Sequence, residues 1–126
     1  MANYQRFGAW ERCHELCLAV YQATSSWPSG ERFGLTSQAR RAAHSAAANI
    51  AEGSAKRGSR EFRRYLDISL GSLSELSYTL QLARDLKILS DEEWHRLHQL
   101  HQKAGATTWL LYKSMSGKRV TTSVSG

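Results

Sequence analysis

Residues 45–86 read SAAANIAEGSAKRGSREFRRYLDISLGSLSELSYTLQLARDL, and they contain the longest helical pattern of the sequence together with its densest positive charge. In its second half apolar residues recur in steps of three, four or seven, which is the spacing of one helical face. These residues are Phe62, Leu66, Leu73, Leu76, Leu80 and Ala83. We therefore predict the end of one helix, a tight turn, and a long helix from Ser59 to about Lys87. The turn holds Gly53 and Gly58, which can take backbone angles that other residues avoid, and Ser59 is placed to cap the long helix.

Two further helices are predicted before this stretch. The first spans Gly8 to Ser26, after a short leader, and is followed by a loop that contains Pro28. The second begins at Thr36 or Ser37, since either side chain can cap a helix. It is rich in alanine, which favours helix and lets a neighbouring helix approach closely.

The clearest local signal opens a fourth helix. Ser90 and Glu93 are spaced as a capping box, and Leu89 and Trp94 are placed as the hydrophobic staple around it. The helical pattern continues to Met115, and we expect residues 117–126 to form a flexible tail. Four amphipathic helices joined by short loops predict an all-α fold, an antiparallel up-down-up-down four-helix bundle that occupies residues 1–116.

Length and composition fit one folded domain. The 126 residues are 41% hydrophobic and 22% charged, as in ordinary globular proteins. Cys13 and Cys17 lie four apart on one predicted helix, where a disulfide needs unusual geometry, so a reduced protein is expected. The sequence contains no apolar run long enough for a signal peptide or a membrane span. The expectation is a cytoplasmic protein without a membrane partner.

Two Glu-x-x-His pairs imitate the ligands of a di-iron bundle, Glu11 with His14 and Glu92 with His95. Both pairs lie near the start of their helices, and these two helices are antiparallel in the predicted topology. The pairs are therefore separated by roughly 25 to 30 Å at 1.5 Å per residue and cannot share one metal pair. Cys13, His14 and Cys17 could bind zinc, but no fourth ligand is evident. The sequence contains no nucleophile elbow and no phosphate-binding loop. We predict no metal, no cofactor and no catalytic residue.

Positive charge is concentrated in and beside the turn. The formal net charge is +6, and seven of the 17 Lys and Arg residues fall between residues 40 and 64, against only Glu52 and Glu61. Such a grouping can contact phosphates, although an ordinary solvated face is an equally open reading because no base-reading motif accompanies it. The candidate nucleic-acid-binding residues are Lys56, Arg57, Arg60, Arg63, Arg64, Arg40 and Arg41.

Some apolar residues lie off the helical stripes and predict a second packed surface. A small bundle has one interior, and exposed apolar patches on small proteins usually mark contacts. Scattered surface hydrophobes are the alternative. The candidate oligomer-interface residues are Ile68, Leu82, Leu86, Trp109 and Leu110.

Three segments carry a resemblance to a known family: RFGLT at residues 32–36, NIAEG at 49–53 and LGSLSEL at 70–76. With them, residues 7–115 resemble the four-helix bundle proteins encoded within intervening sequences of bacterial 23S rRNA genes, once labelled S23 ribosomal proteins. The chain is also similar, more distantly, to the accessory variability proteins of diversity-generating retroelements. The resemblance implies an antiparallel bundle that assembles as a ring, a homopentamer, and no catalysis. The retroelement relatives engage nucleic acid and a reverse transcriptase through a positively charged ring.

Two functions remain open from the sequence. The first is a non-enzymatic accessory protein that binds RNA or DNA through its basic surface as an oligomer. The second is a structural or protein-interaction module with a protein partner and no nucleic-acid binding. The first predicts salt-sensitive binding that is lost when Arg60, Arg63 and Arg64 become Glu, whereas the second predicts no nucleic-acid binding at physiological salt.

Overall fold

A computed structural model describes the backbone of residues 2–125 and the side chains of residues 2–115. Within that range the chain forms four α-helices and two short 3₁₀ helices, and no strand. The α-helices are α1 (Gly8–Thr24), α2 (Leu35–Ser54), α3 (Gly58–Asp85) and α4 (Asp91–Ser125). The 3₁₀ helices are Asn3–Arg6 and Ser29–Glu31. The predicted all-α fold is confirmed.

Side-chain contacts show that α2 and α3 are antiparallel. Arg41, near the start of α2, pairs with Glu75 at 2.7 Å, and Ser45 hydrogen-bonds Ser72 at 2.7 Å one turn further along. The partner position in α3 thus falls as the position in α2 rises. An antiparallel pair joined by a short turn is the arrangement that the basic stretch predicts.

The other neighbours close the bundle in the same sense. Arg40 Nε, early in α2, donates to Thr24 Oγ1 at the end of α1, at 2.8 Å. Cys13 Sγ in the first half of α1 lies 3.6 Å from Thr108 Oγ1, in the later part of α4. Helices that follow one another along the chain pack together, and α1 packs on α4, so the four helices surround one core.

The core is built from small side chains on α2 and larger ones on α3. On α2 it is lined by fully buried alanines, namely Ala39, Ala42, Ala43 and Ala46. Opposite them α3 contributes Leu66, Leu73 and Leu76, together with Ser69, whose hydroxyl donates to the Ala46 carbonyl oxygen at 2.6 Å. The small side chains let α2 and α3 pack closely, as the alanine content of α2 predicts. None of the helices within residues 2–125 combines the length and apolarity needed to cross a bilayer.

Two predicted helix caps are wrong. At α2 the cap is the Glu31 carboxylate, whose Oε1 accepts from the Leu35 amide at 3.0 Å, and not Thr36 or Ser37. The 3₁₀ helix before it carries Glu31 over the first amide of α2, so both hydroxyl residues already lie inside the helix. At α3 no side chain caps the helix, which begins at Gly58 with φ +81°. Arg57 holds the N-cap position, so Ser59 lies two residues beyond it, inside the helix.

The entry to α4 matches its prediction in part. The Glu93 amide donates to Ser90 Oγ at 3.1 Å, and Leu89 beside it is buried in the core. α4 extends to Ser125, beyond the boundary placed at residue 116. The side chains of residues 116–125 lie outside the described residues, so a flexible tail at 117–126 stays a prediction.

Candidate nucleic-acid interface

The turn between α2 and α3 lies at one end of the bundle, with the start of α1 and the later part of α4. Asn3 Nδ2 donates to the Ser54 carbonyl oxygen at 3.0 Å, which holds the first 3₁₀ helix against the end of α2. The Phe7 ring meets the Phe62 ring edge to face, with centroids 5.3 Å apart, and so joins α1 to α3. We call this region the basic end, and its cations are Arg6, Lys56, Arg57, Arg60, Arg63, Arg64 and Lys113.

Two glycines shape the turn at the basic end. Gly58 has φ +81°, a left-handed conformation that side-chain-bearing residues rarely adopt. Gly53 is buried where α2 meets α3, and a Cβ there would lie 2.7 Å from Tyr65 Cβ and 2.9 Å from Phe62 Cδ1. The chain can therefore leave α2, reverse, and start α3 within a few residues.

This tight reversal gathers cations around the Tyr65 ring. Lys56 Nζ lies 5.5 Å and Arg64 Cζ lies 4.8 Å from the ring centroid, both within the range of a cation–π contact. Lys56 comes from the turn and Arg64 from the second turn of α3. Tyr65 therefore holds the side chains of two predicted site residues close to one another.

Beside Tyr65 lies an open groove of about 410 Å³, which includes Arg60 and Arg63 but not Arg57. Its lining residues are Arg60, Glu61, Arg63, Arg64, Asp67 and Tyr112. Arg64 pairs with Glu61 at 3.5 Å, a contact between exposed groups that contributes little. Arg60 and Arg63 form no ion pair with any side chain of residues 2–115. The groove therefore has uncompensated positive charge despite its two carboxylates.

An aromatic pair on α4 extends the groove. The Trp109 and Tyr112 rings are stacked, with centroids 5.5 Å apart and an interplanar angle of 14°. Lys113 Nζ lies 6.0 Å from the Trp109 centroid, and the Trp109 side chain remains 49% exposed. The sequence prediction placed Trp109 in an oligomer interface and omitted Tyr112 and Lys113. The signal available was the i, i+3 spacing of two aromatic residues on the helix that must pass the turn.

The structure separates Arg40 and Arg41 from the other candidates. Arg40 is partly buried, bonds Thr24 and lies over the Tyr21 ring at 4.6 Å, so it joins α1 to α2. Arg41 is exposed and pairs with Glu75. Lys56 follows Arg41 by fifteen residues, which corresponds to about 22 Å along a helix at 1.5 Å per residue. Arg40 and Arg41 therefore lie too far from the cations of the basic end to form one compact binding surface with them.

The five candidate interface residues fall into two groups, one at α3 and one on α4. Ile68 and Leu82 lie on one face of α3, and Leu86, the residue that follows the helix, continues the same spacing. Ile68 and Leu86 are exposed, and Leu82 is half-buried. Trp109 and Leu110 are consecutive on α4, so their side chains point about 100° apart. An interface at these residues stays a prediction, and the geometry groups only the three on α3.

The residues weighed for metal binding are scattered. Glu11 and His14 lie on the first turns of α1 and Glu92 and His95 on those of α4, at opposite ends of the antiparallel pair. Burial raises the pKa of the Cys13 thiol to about 11, which disfavours the thiolate that a metal needs. Within the described residues no three His, Cys, Asp or Glu side chains form a group that could hold a metal ion.

Comparisons with known proteins agree on the fold and the family. Residues 5–108 match the family model described as 23S rRNA-intervening sequence protein. A crystal structure of a protein with unknown function from the S23 ribosomal protein family, from Bacteroides thetaiotaomicron VPI-5482, superposes with a TM-score of 0.68 at 19% sequence identity. The match covers 85% of this chain and 97% of that one, and at this identity it shows the fold alone. No curated protein sequence matches significantly. Because the family model spans most of the bundle, the chain belongs to the 23S rRNA-intervening sequence protein family.

Proposed function

We propose that the chain is a non-enzymatic accessory protein that binds nucleic acid, RNA in the first place, through its basic end. The observation that carries the proposal is that three cations of α3, Arg60, Arg63 and Arg64, line one open groove, with Lys56 of the turn beside Arg64 at the Tyr65 ring. Arg60 and Arg63 have no carboxylate partner among the described side chains, so their charge is available to phosphates. Guanidinium groups suit phosphates because they can donate two parallel hydrogen bonds.

The size of the cluster sets the expected salt dependence. Lys56, Arg57, Arg60, Arg63 and Arg64 allow up to five phosphate contacts. For a single strand the logarithm of the binding constant then falls with the logarithm of salt concentration with a slope of about −3.5. Between 50 and 200 mM salt this corresponds to a loss of affinity of about 100-fold. Duplex DNA would give a steeper slope, about −4.5, for the same five contacts.

A charge-reversal variant with a matched control tests the proposal. In the first variant Arg60, Arg63 and Arg64 are each replaced by Glu, which reverses the charge of the groove. In the control, three exposed cations away from the groove, Arg32, Lys87 and Lys103, are replaced by Glu. Both variants have the same net charge, so a difference between them reports position rather than total charge.

Fluorescence anisotropy with a labelled RNA at several salt concentrations gives the readout. We expect the groove variant to lose binding at physiological salt and the control to retain most of it. Equal weakening in the two variants would show that total charge alone attracts the RNA. Wild-type protein that binds neither RNA nor DNA at physiological salt would leave the interaction-module function as the better candidate.

The proposal that no reaction is catalysed rests on the chemistry of the described groups. Catalytic side chains usually have pKa values moved toward neutral pH. Here burial moves the pKa values of Cys13 and Cys17 upward, away from neutrality. The pKa of Asp91 is lowered by its hydrogen bond from Arg84, which is the signature of a surface ion pair. We therefore assign no catalytic residue and no cofactor.

A specific observation favours a second function, a protein-interaction module. Ile68 and Leu86 are exposed and Leu82 is half-buried along one face of α3, so this face offers apolar area to a partner. We propose that the partner is another copy of the chain, and the homopentamer implied by the family resemblance is the assembly to test. Light scattering coupled to gel filtration would give the mass. Replacing Ile68 by Glu should lower it, whereas Leu110→Glu on α4 serves as the exposed control.

These functions are compatible, because a ring of copies would repeat the basic end. The distant resemblance to retroelement accessory proteins stays a prediction, as does a cytoplasmic location. If the chain assembles, the number of phosphate contacts per ring would exceed that of one copy and the salt slope would steepen accordingly. Comparing the slope with the measured mass separates one-copy from multi-copy binding.

A further inference from the structure

Trp109 is the outer ring of the aromatic stack on α4 and lies outside the core, whereas its partner Tyr112 packs against the core. Trp109 is 49% exposed, although a tryptophan side chain usually buries most of its large apolar surface in a folded protein. Its ring is nevertheless held in a defined orientation, because it stacks on Tyr112 with an interplanar angle of 14°. Tyr112 is half-buried and belongs to the wall of the groove. The molecule thus presents an ordered, open aromatic surface rather than a loosely placed side chain.

The position of the stack relates it to the cations. Tyr112 lines the same groove as Arg60, Arg63 and Arg64, so the ring pair and the guanidinium groups share one concave surface. Lys113 adds a cation 6.0 Å from the Trp109 centroid. The groove therefore combines a place for phosphate charge with a flat apolar face beside it.

We propose that the Trp109–Tyr112 stack is a base-stacking platform and that the ligand of the basic end is single-stranded nucleic acid. The inference rests on the proposed function and specifies its substrate class. A single strand can turn unpaired bases onto an aromatic ring while its phosphates contact neighbouring cations. In a duplex the base faces are already stacked inside the helix, so Trp109 could contribute little to binding one.

Charge complementarity selects this occupant over a second copy of the chain. The residues around the stack are mostly cationic, and a second copy would bring the same cations to the same surface. The exposed apolar residues that suit self-association lie on another face of α3, at Ile68, Leu82 and Leu86. A polyanion with free aromatic bases satisfies both features of the groove.

The test compares a 12-nucleotide oligouridylate with a 12-base-pair RNA duplex, both labelled, at one fixed salt concentration. The variants are Trp109→Ala, which removes the ring, and Trp109→Phe, which keeps an aromatic face. Leu110→Ala removes a neighbouring exposed apolar side chain and is the matched control. Circular dichroism and light scattering check that each variant is folded and of unchanged mass.

We expect Trp109→Ala to bind the single strand at least about 5-fold more weakly, since stacking of one base on an aromatic ring contributes that much or more. Trp109→Phe should recover most of the loss, and duplex affinity should stay within about 2-fold for all three variants. Unchanged single-strand affinity of Trp109→Ala would overturn the platform but leave the proposed function standing, provided the triple charge reversal still abolishes binding. An equal loss with Leu110→Ala, or a change of mass on removing Trp109, would also overturn it.

Discussion

Replacing Gly53 by Ala should destabilise the protein, although alanine is the better helix former. The Cβ at this position would lie 2.7 Å from Tyr65 Cβ and 2.9 Å from Phe62 Cδ1. Tyr65 Cβ is bonded directly to the α3 backbone, so it cannot move unless the helix moves. Overpacking of this kind costs about 1–3 kcal/mol, and exchanging glycine for alanine inside a helix returns about 1 kcal/mol. We expect a net loss of up to about 2 kcal/mol in the free energy of unfolding.

Gly71→Ala is the matched control for this prediction. Gly71 lies inside α3, and a Cβ there would meet nothing within 4 Å. The same chemical change should therefore stabilise the protein by about 0.5–1 kcal/mol. Urea unfolding followed by circular dichroism, at one protein concentration, measures both variants. If Gly53→Ala proved as stable as Gly71→Ala, then α2 and α3 would not approach as closely at the basic end as described.

Three further predictions concern single side chains. Lys87 lies just after α3 and has φ 65°, and the Ile88 amide donates to the Ala83 carbonyl oxygen. Glycine adopts this φ without strain, so Lys87→Gly should raise the free energy of unfolding by about 0.5–1 kcal/mol, whereas Lys87→Ala should not. Burial raises the pKa of the Cys13 thiol from 9.0 to about 11 in the folded protein. The thiol of the unfolded chain loses its proton at lower pH, so the free energy of unfolding should fall between pH 9 and 11. Cys13→Ala should flatten that fall when unfolding is measured at several pH values. Arg40→Met removes the hydrogen bond to Thr24 and should lower stability by about 1–2 kcal/mol in urea unfolding. Its RNA affinity should stay unchanged; a clear loss would place Arg40 in the binding surface.

The sequence predicted the fold because the bundle depends on patterns that repeat over many residues. The apolar stripe of α3 and the alanine-rich face of α2 are long enough to fix helix type and partner face. The first hydrogen bond of the predicted capping box, from the Glu93 amide to Ser90, is also present because it depends on residues three apart. The cap of α2 was missed, because the capping side chain comes from the segment that precedes the helix. Glu31 reaches the first amide of α2 only because a 3₁₀ helix precedes it.

The candidate site was predictable only where its residues are close in sequence. The cluster from Lys56 to Arg64 is visible as a local excess of charge, whereas Tyr112 and Lys113 join it through the packing of α4 on α3. Arg40 was included because it is near the cluster in sequence. In the bundle α2 carries it toward the opposite end, where it bonds Thr24. Charge counts alone do not distinguish a cation that joins two helices from one that faces solvent.

Ultraviolet crosslinking tests most directly whether the basic end is where nucleic acid binds. Wild-type protein would be irradiated with a labelled oligouridylate, digested, and the crosslinked peptides identified by mass spectrometry, with unlabelled RNA as competitor. We expect competable crosslinks within residues 56–65 and 109–113, with Tyr65, Trp109 and Tyr112 as the aromatic acceptors. Crosslinks confined to residues 21–41 or 84–96, at the opposite end of the bundle, would show that nucleic acid does not bind at the basic end.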